Sequence, residues 1–174
     1  FPPGGGFDNL ARPFAMKLGA YLKQSIVVEN KAGAGGNIGT AEAARAAPDG
    51  YTILLGNEIL STNPLIYKSL PYDSVKSFQP VALIATTPLV LAINPKVPAR
   101  NLKELIALSA KEPITFGTPG IGTSPHLMGE LLNQKSPLEL RHIPYEGTGP
   151  AITDALGGQI NAVLSVASSL APYI

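Results

Sequence analysis

At 174 residues the chain is long enough for one domain or two small ones, and 45% hydrophobic residues exclude a disordered chain. Charged residues make up only 14% and the net charge is +1, with no Lys/Arg cluster, which argues against nucleic acid as a partner. The absence of cysteine excludes disulfides and Cys nucleophiles, and the longest apolar stretch, Val81 to Ile93, is interrupted by Thr86-Thr87-Pro88 and too short for a bilayer.

The chain opens on a glycine loop, Pro2-Pro3-Gly4-Gly5-Gly6-Phe7-Asp8. Leu10, Phe14, Leu18 and Leu22 at steps of four then predict a helix, with Asp8 or Asn9 as its N-cap and Pro13 just past the tolerated first turn. A strand is predicted over Ser25–Glu29. A second glycine loop follows, Asn30-Lys31-Ala32-Gly33-Ala34-Gly35-Gly36-Asn37-Ile38-Gly39, then a short helix from about Thr40 to Ala47, a Pro48-Asp49-Gly50 turn and a strand Tyr51–Leu55 ending near Asn57. Asn63-Pro64 is expected to open a short helix, and two apolar strands flank Thr86-Thr87-Pro88.

From Asn94-Pro95 to Pro98 the chain reads as a connector. Asn101 and Glu104 then form a capping-box start for a helix carrying Leu102, Leu105, Ile106 and Leu108. The strand Ile114–Phe116 enters a third glycine loop, Gly117-Thr118-Pro119-Gly120-Ile121-Gly122-Thr123-Ser124. Ser124 as N-cap and Pro125 at the first helical position open the next helix. A strand Leu140–Ile143, a helix opened by Pro150 and closed at Gly157-Gly158, and a strand Ile160–Val166 complete the pattern. Strand, loop and helix alternate on both sides of the connector. The expected fold is therefore α/β with mainly parallel sheets, divided into residues 1–94 and 95–174.

Glycine loops that follow strands and precede helices aim bare N–H groups at one spot, which suits an anion. The loops do not match nucleotide motifs. Gly33 and Gly35 would need a glycine at Ile38, and Gly4 and Gly6 one at Asn9. Gly117, Gly122 and Ser124 have P-loop spacing, but Thr123 stands where the lysine belongs. His126 and Glu130 share a helix face without a supporting metal cluster, so His126 is read as bonding the loop or the ligand. Asn37 either caps the short helix or faces the ligand, and Asp8 reads as a cap. No catalytic residue, cofactor or metal is expected; a general base for the alternative, an enzyme on a carboxylated substrate, would have to come from Asp8, Glu58, His126 or Glu146.

The first loop with its Phe1 and Asp8 flanks, the run Val27–Gly39, Ala46-Ala47-Pro48-Asp49-Gly50-Tyr51, the third loop with His126, and Tyr145-Glu146-Gly147 followed by Leu156-Gly157-Gly158-Gln159-Ile160 resemble the extracytoplasmic solute receptors of tripartite tricarboxylate transporters, the Bug receptors. The resemblance implies a type II periplasmic-binding-protein fold whose two lobes close over a mono-, di- or tricarboxylate. It implies a monomer in the periplasm that serves a large and a small membrane subunit. A sensory carboxylate-binding protein without a transporter is the alternative within the same fold. Carried over residue by residue, it assigns ligand contacts to Gly5, Gly6 and Phe7 on one lobe and to Thr118, Gly122, Thr123 and His126 on the other, with Asn37 and Asn57 lining the cleft. It also implies a strand and signal peptide before Phe1 and a return crossing after Ile174, so that both ends are expected to be cut.

Overall fold

The computed structural model describes residues 1–174. Its α-helices are α1 (Gly6–Leu22), α2 (Asn37–Arg45), α3 (Ile59–Ile66), α4 (Leu102–Ser109), α5 (Ser124–Lys135), α6 (Thr148–Gly157) and α7 (Ala167–Leu170). The strands are β1 (Leu89–Ile93), β2 (Ile114–Thr118), β3 (Leu140–Pro144) and β4 (Ala162–Val166), joined in one sheet of order β1-β4-β2-β3. β2 is parallel to β3 and β4, and β1 is antiparallel to β4. Parallel neighbours need long crossovers, and α5 and α6 supply them. No helix is long and apolar enough to cross a membrane.

Successive residues of a strand face opposite sides of the sheet, and β4 serves two cores accordingly. Ala162 and Leu164 join Leu105, Ile114, Phe116, Leu138 and Leu140 on one side, while Val163 joins Ala151, Ile152, Ala155, Ile160 and Leu170 on the other. Phe116 is fully buried, which is worth about 1.5–3 kcal/mol for a side chain of its size. Its ring sets how closely α5 approaches: a Cβ on Gly129 would stand 2.3 Å from it. A residue larger than glycine there would push the helix off the sheet.

The second half follows the predicted pattern closely. Asn101 accepts from the Glu104 amide at 3.0 Å, and Glu104 reaches back to the Arg100 amide at 2.7 Å, so the capping box forms. Gly158 ends α6 in a left-handed conformation, φ 83°. The division at 94/95 is where the sheet departs from the expectation. Leu89–Ile93, assigned by sequence to the first part, pairs along its whole length with β4. The connector is also fixed to the second half rather than free: the Asn94 amide donates to the Asn161 carbonyl at 2.8 Å and its side chain to the Ala155 carbonyl.

The first half differs more. The strands predicted over Ser25–Glu29 and Tyr51–Leu55, and the apolar strand ahead of Thr86-Thr87-Pro88, have no ladder, and Val27, Ile53, Val81 and Leu83 are exposed. A strand exists only through hydrogen bonds to a neighbour, and none lies beside these segments. Helix starts also shift. α1 begins at Gly6, so Asp8 is its third residue rather than its cap and accepts from the Gly4 amide at 3.0 Å. Pro13 therefore lies well inside α1. α2 starts at Asn37, three residues early, and α3 carries Asn63-Pro64 in its interior. Thr123, not Ser124, occupies the N-cap position of α5.

Candidate functional site

The carboxyl ends of β2, β3 and β4 are the place where ligands bind in open α/β sheets. The third glycine loop, the Tyr145–Gly147 segment and the start of α7 leave the sheet there. The other glycine loops come to this edge. Pro2 packs on Gly147, where a Cβ would stand 2.4 Å from the proline ring. Gly6 sits on Val166 and Ser169, its hypothetical Cβ 2.4 Å from Val166 Cγ2 and 2.7 Å from Ser169 Oγ. Gly35 meets the Ile121 carbonyl, with a Cβ distance of 2.7 Å, and Gly36 lies against the Phe1 ring. The first and third loops are thus neighbours at one edge, with the second loop between Phe1 and Ile121.

At the first loop, the amides of Gly5, Gly6 and Phe7 make no hydrogen bond within the chain. They are the N-terminal donors of a 17-residue helix, groups that need an acceptor from outside the helix. Asp8 does not fill that role. Its Oδ2 is taken by Arg12 Nε at 2.8 Å and by the Gly4 amide, and the Arg12 hydrogen bond is the main cause holding its carboxyl down at about 2. Arg12 continues to Asn30 Oδ1 at 3.1 Å, and Phe1 stacks on Phe7 with centroids 5.3 Å apart. These contacts set the loop's shape and leave its amides open. Beside them Ser169 Oγ is buried without a partner; so is Asp8 Oδ1. A buried hydroxyl without a partner in a native fold points to a water or ligand.

The third loop bonds largely to itself and its neighbours, although the amides of Ile121, Thr123 and His126 have no acceptor in the chain. Thr118 is fully buried, with Oγ1 2.6 Å from His142 Nε2 and accepting from the Gly120 amide at 3.3 Å. Thr123 is buried and donates to the Gly120 carbonyl at 2.7 Å, so its hydroxyl closes the loop. The Gly122 amide donates to His126 Nδ1 at 3.1 Å. His126 stacks on His142 with centroids 4.1 Å apart, and burial first, then the His126 charge, pushes His142 down to about 4. At the head of α5, both the amide (3.1 Å) and the hydroxyl of Ser124 donate to the Glu58 carboxylate. Thr62 adds a bond to the Gly122 carbonyl at 3.3 Å.

Of the residues assigned by sequence, Gly5, Gly6 and Phe7 therefore present free donors. Thr118, Gly122, Thr123 and His126 lie at the same edge but bond to one another and to His142. Asn37 is buried, its Oδ1 accepting from Asn63 Nδ2 at 2.8 Å and from the Tyr72 hydroxyl. This joins α2 to α3 instead of capping α2. Asn57 is half-buried, and its side chain makes no hydrogen bond in the chain. Ser169, Gly147 and Asn63 were not legible as site-edge residues. The one available signal was Ser168-Ser169 just past a strand's carboxyl end. Two shallow, open surface cavities, about 410 and 220 Å³, lie around Asn94–Glu104 and Gly158–Asn161, at the opposite, amino end of β2 and β4.

The sequence model of the family described as tripartite tricarboxylate transporter family receptor matches residues 10–174. BugT of Bordetella pertussis is 40% identical over 166 residues, which is 93% of this chain and 51% of that protein. The chain spans about half the length of the curated relatives it matches. A protein of R. palustris solved with adipate superimposes with a TM-score of 0.95 at 31% identity, over 99% of this chain and 58% of that one. The periplasmic binding protein BugD superimposes at 0.93 with 39% identity, over 100% and 59%. The α/β fold is thus that of periplasmic binding proteins, and the chain belongs to the tripartite tricarboxylate transporter receptor family.

Proposed function

We propose that the protein containing this chain is a monomeric periplasmic receptor that captures a small organic acid and delivers it to the large and small membrane subunits of a tripartite tricarboxylate transporter. The observation that carries this reading is the open head of α1. Three adjacent amides, Gly5, Gly6 and Phe7, lack acceptors, and a buried, unpartnered Ser169 hydroxyl lies against Gly6. A carboxylate there would complete all four donors, and the helix dipole would favour it by about 0.3–1 kcal/mol or more. Family membership and the adipate bound by a relative support the same chemistry.

In this reading residues 1–88 belong to one lobe and 89–174 to the other, since β1 is built into the sheet of the second half. The segment Thr86-Thr87-Pro88 replaces Asn94–Pro98 as the crossing point. Binding without conversion fits three of the four candidate bases, which are engaged in the fold: Asp8 on Arg12, Glu58 on Ser124, and His126 on the Gly122 amide; the exposed Glu146 alone is unengaged. Thermal-shift screening of the whole protein against organic acids tests the proposal. An acid at ~100 times its Kd should add about 2.7 kcal/mol of stability and be recovered unchanged. A screen in which no carboxylate raises Tm would refute it.

A further inference from the structure

The sequence pattern offers two helix heads for anions, one after each of the first and third glycine loops, as a ligand with two carboxylates would require. The fold leaves the first without an anion and places a carboxylate of its own at the second. At the third loop every polar group that could greet an anion from Gly120, Gly122, Thr123 hydroxyl or Ser124 already has an acceptor inside the chain. The acceptor at Ser124 is itself a carboxylate, that of Glu58, held by both the amide and the hydroxyl. Glu58 arrives from 66 residues away in sequence. It is kept in place from its own side, because α3 begins at the next residue and Thr62, one turn on, is tied to the Gly122 carbonyl. The α5 head thus carries its anion as part of the protein.

We infer that Glu58 acts as a built-in counter-anion that restricts this receptor to acids with a single carboxylate, the distal end of the ligand being neutral or cationic. The inference rests on the receptor reading above. A ligand monocarboxylate seats on the Gly5–Phe7 amides and Ser169, where donors are free. A second carboxylate at α5 finds the Ser124 amide and hydroxyl already taken and faces Glu58 as a like charge. It can bind there only by expelling a side chain that remains tethered beside it, and like charges at close range in a partly closed cleft are strongly unfavourable. A distal ammonium or hydroxyl has the opposite fate, since it can donate to Glu58 Oε2 or the loop carbonyls.

Calorimetry on the whole protein with ligands of one backbone length separates these cases. Hexanoate, 6-aminohexanoate and adipate form one set, and butyrate, 4-aminobutyrate and succinate a second. The expected result is that, in the set that fits the cleft, the acids with one carboxylate bind about 10-fold or more tighter than the diacid. Glu58→Gln, which keeps size and can still accept from Ser124, should narrow that gap by about 10-fold, chiefly by raising diacid affinity. Glu58→Lys should reverse the preference. Glu58 is exposed, so both variants should melt near the wild type, which a thermal scan checks. Diacids binding as tightly as the matched monoacids in wild type, or a ratio unmoved by both variants, would overturn the inference while leaving the receptor reading intact. A failure of every acid to bind either wild type or variants would overturn both.

Discussion

The heads of α1 and α5 begin from the same local grammar and end in opposite states. Each follows a glycine loop, each carries proline or glycine where the backbone must turn tightly, and each presents amides with no intrahelical acceptor. At α1 the amides of Gly5, Gly6 and Phe7 remain open beside an unpartnered Ser169 hydroxyl. At α5 the Gly122 amide, the Thr123 hydroxyl and both Ser124 donors are taken by His126, Gly120 and Glu58, the last a carboxylate of the chain itself. A glycine-rich loop therefore establishes that acceptors are required, not who supplies them. The supplier is fixed by tertiary contacts: Asp8 takes only the Gly4 amide at α1, whereas Glu58 comes to α5 from 66 residues away in sequence.

The most direct way to break this comparison is to fill the open head. A Cβ on Gly6 would stand 2.4 Å from Val166 Cγ2 and 2.7 Å from Ser169 Oγ, so Gly6→Val must push the loop off the β4 end. Such overpacking costs about 1–3 kcal/mol, and displaced amides should weaken acid binding by about 100-fold. Calorimetry checks it; near-normal affinity would mean the ligand sits elsewhere. Ser169→Ala probes the same head more gently. Loss of one hydrogen bond to a charged ligand is worth about 1.5 kcal/mol at the low end, or about 10-fold in Kd. Because Ser169 Oγ has no partner in the fold, the melting temperature should hold or rise.

Thr123→Val gives the converse at the α5 head. Read from sequence, the Thr123 hydroxyl was expected to face the ligand and this substitution to weaken binding. In the structure the hydroxyl is buried on the Gly120 carbonyl, and valine would leave that carbonyl only the longer contact from the Thr118 hydroxyl at 3.3 Å. The expected outcome is a loss of about 1–3 kcal/mol in stability with acid affinity unchanged, measured by denaturant melts and calorimetry on the whole protein. A strong loss of affinity at unchanged stability would restore the original assignment.

What was legible divides along the same line. Short-range chemistry was readable: the Asn101–Glu104 box, the Gly158 terminus and the alternation that builds β2, β3 and β4 all depend on residues within a few positions of one another. Two kinds of feature were not. Ser25–Glu29 and Tyr51–Leu55 have strand-like sequences but no neighbour to pair with, so propensity alone did not make a ladder. Contacts between distant residues, such as Glu58 with Ser124 and Asn63 with Asn37, leave no periodic trace, and each displaced a local cap inferred from sequence. Asp8 erred for a subtler reason. It does serve the helix start, but from the third position and toward Gly4.

The smallest effect, and the sharpest separation of the two heads, should come from acid. His142 is held at about 4, below its ordinary 6.5, by burial and by the stacked His126 charge. Its neutral form is the one the fold accommodates, so its stabilising contribution is full above about pH 6.5 and is lost as pH falls through about 4. The groups around it are Thr118, Phe116 and His126, with Glu130 Oε1 3.8 Å from His126 Nε2 on the outer side. Protonation of His142 would place a charge against His126 and disturb the Thr118 contact that anchors the third loop. Asp8 has the same sign but a lower window: with its carboxyl at about 2 against an ordinary 3.8, the first loop keeps its brace until pH falls through about 2. Hydrogen exchange of the amides across a titration from neutral pH to pH 3 should therefore show Gly122 losing protection while Gly4 retains it. Substituting His142 with glutamine should flatten the Gly122 response and leave Gly4 unaffected. Simultaneous loss at both loops would show that the two heads are not independently braced.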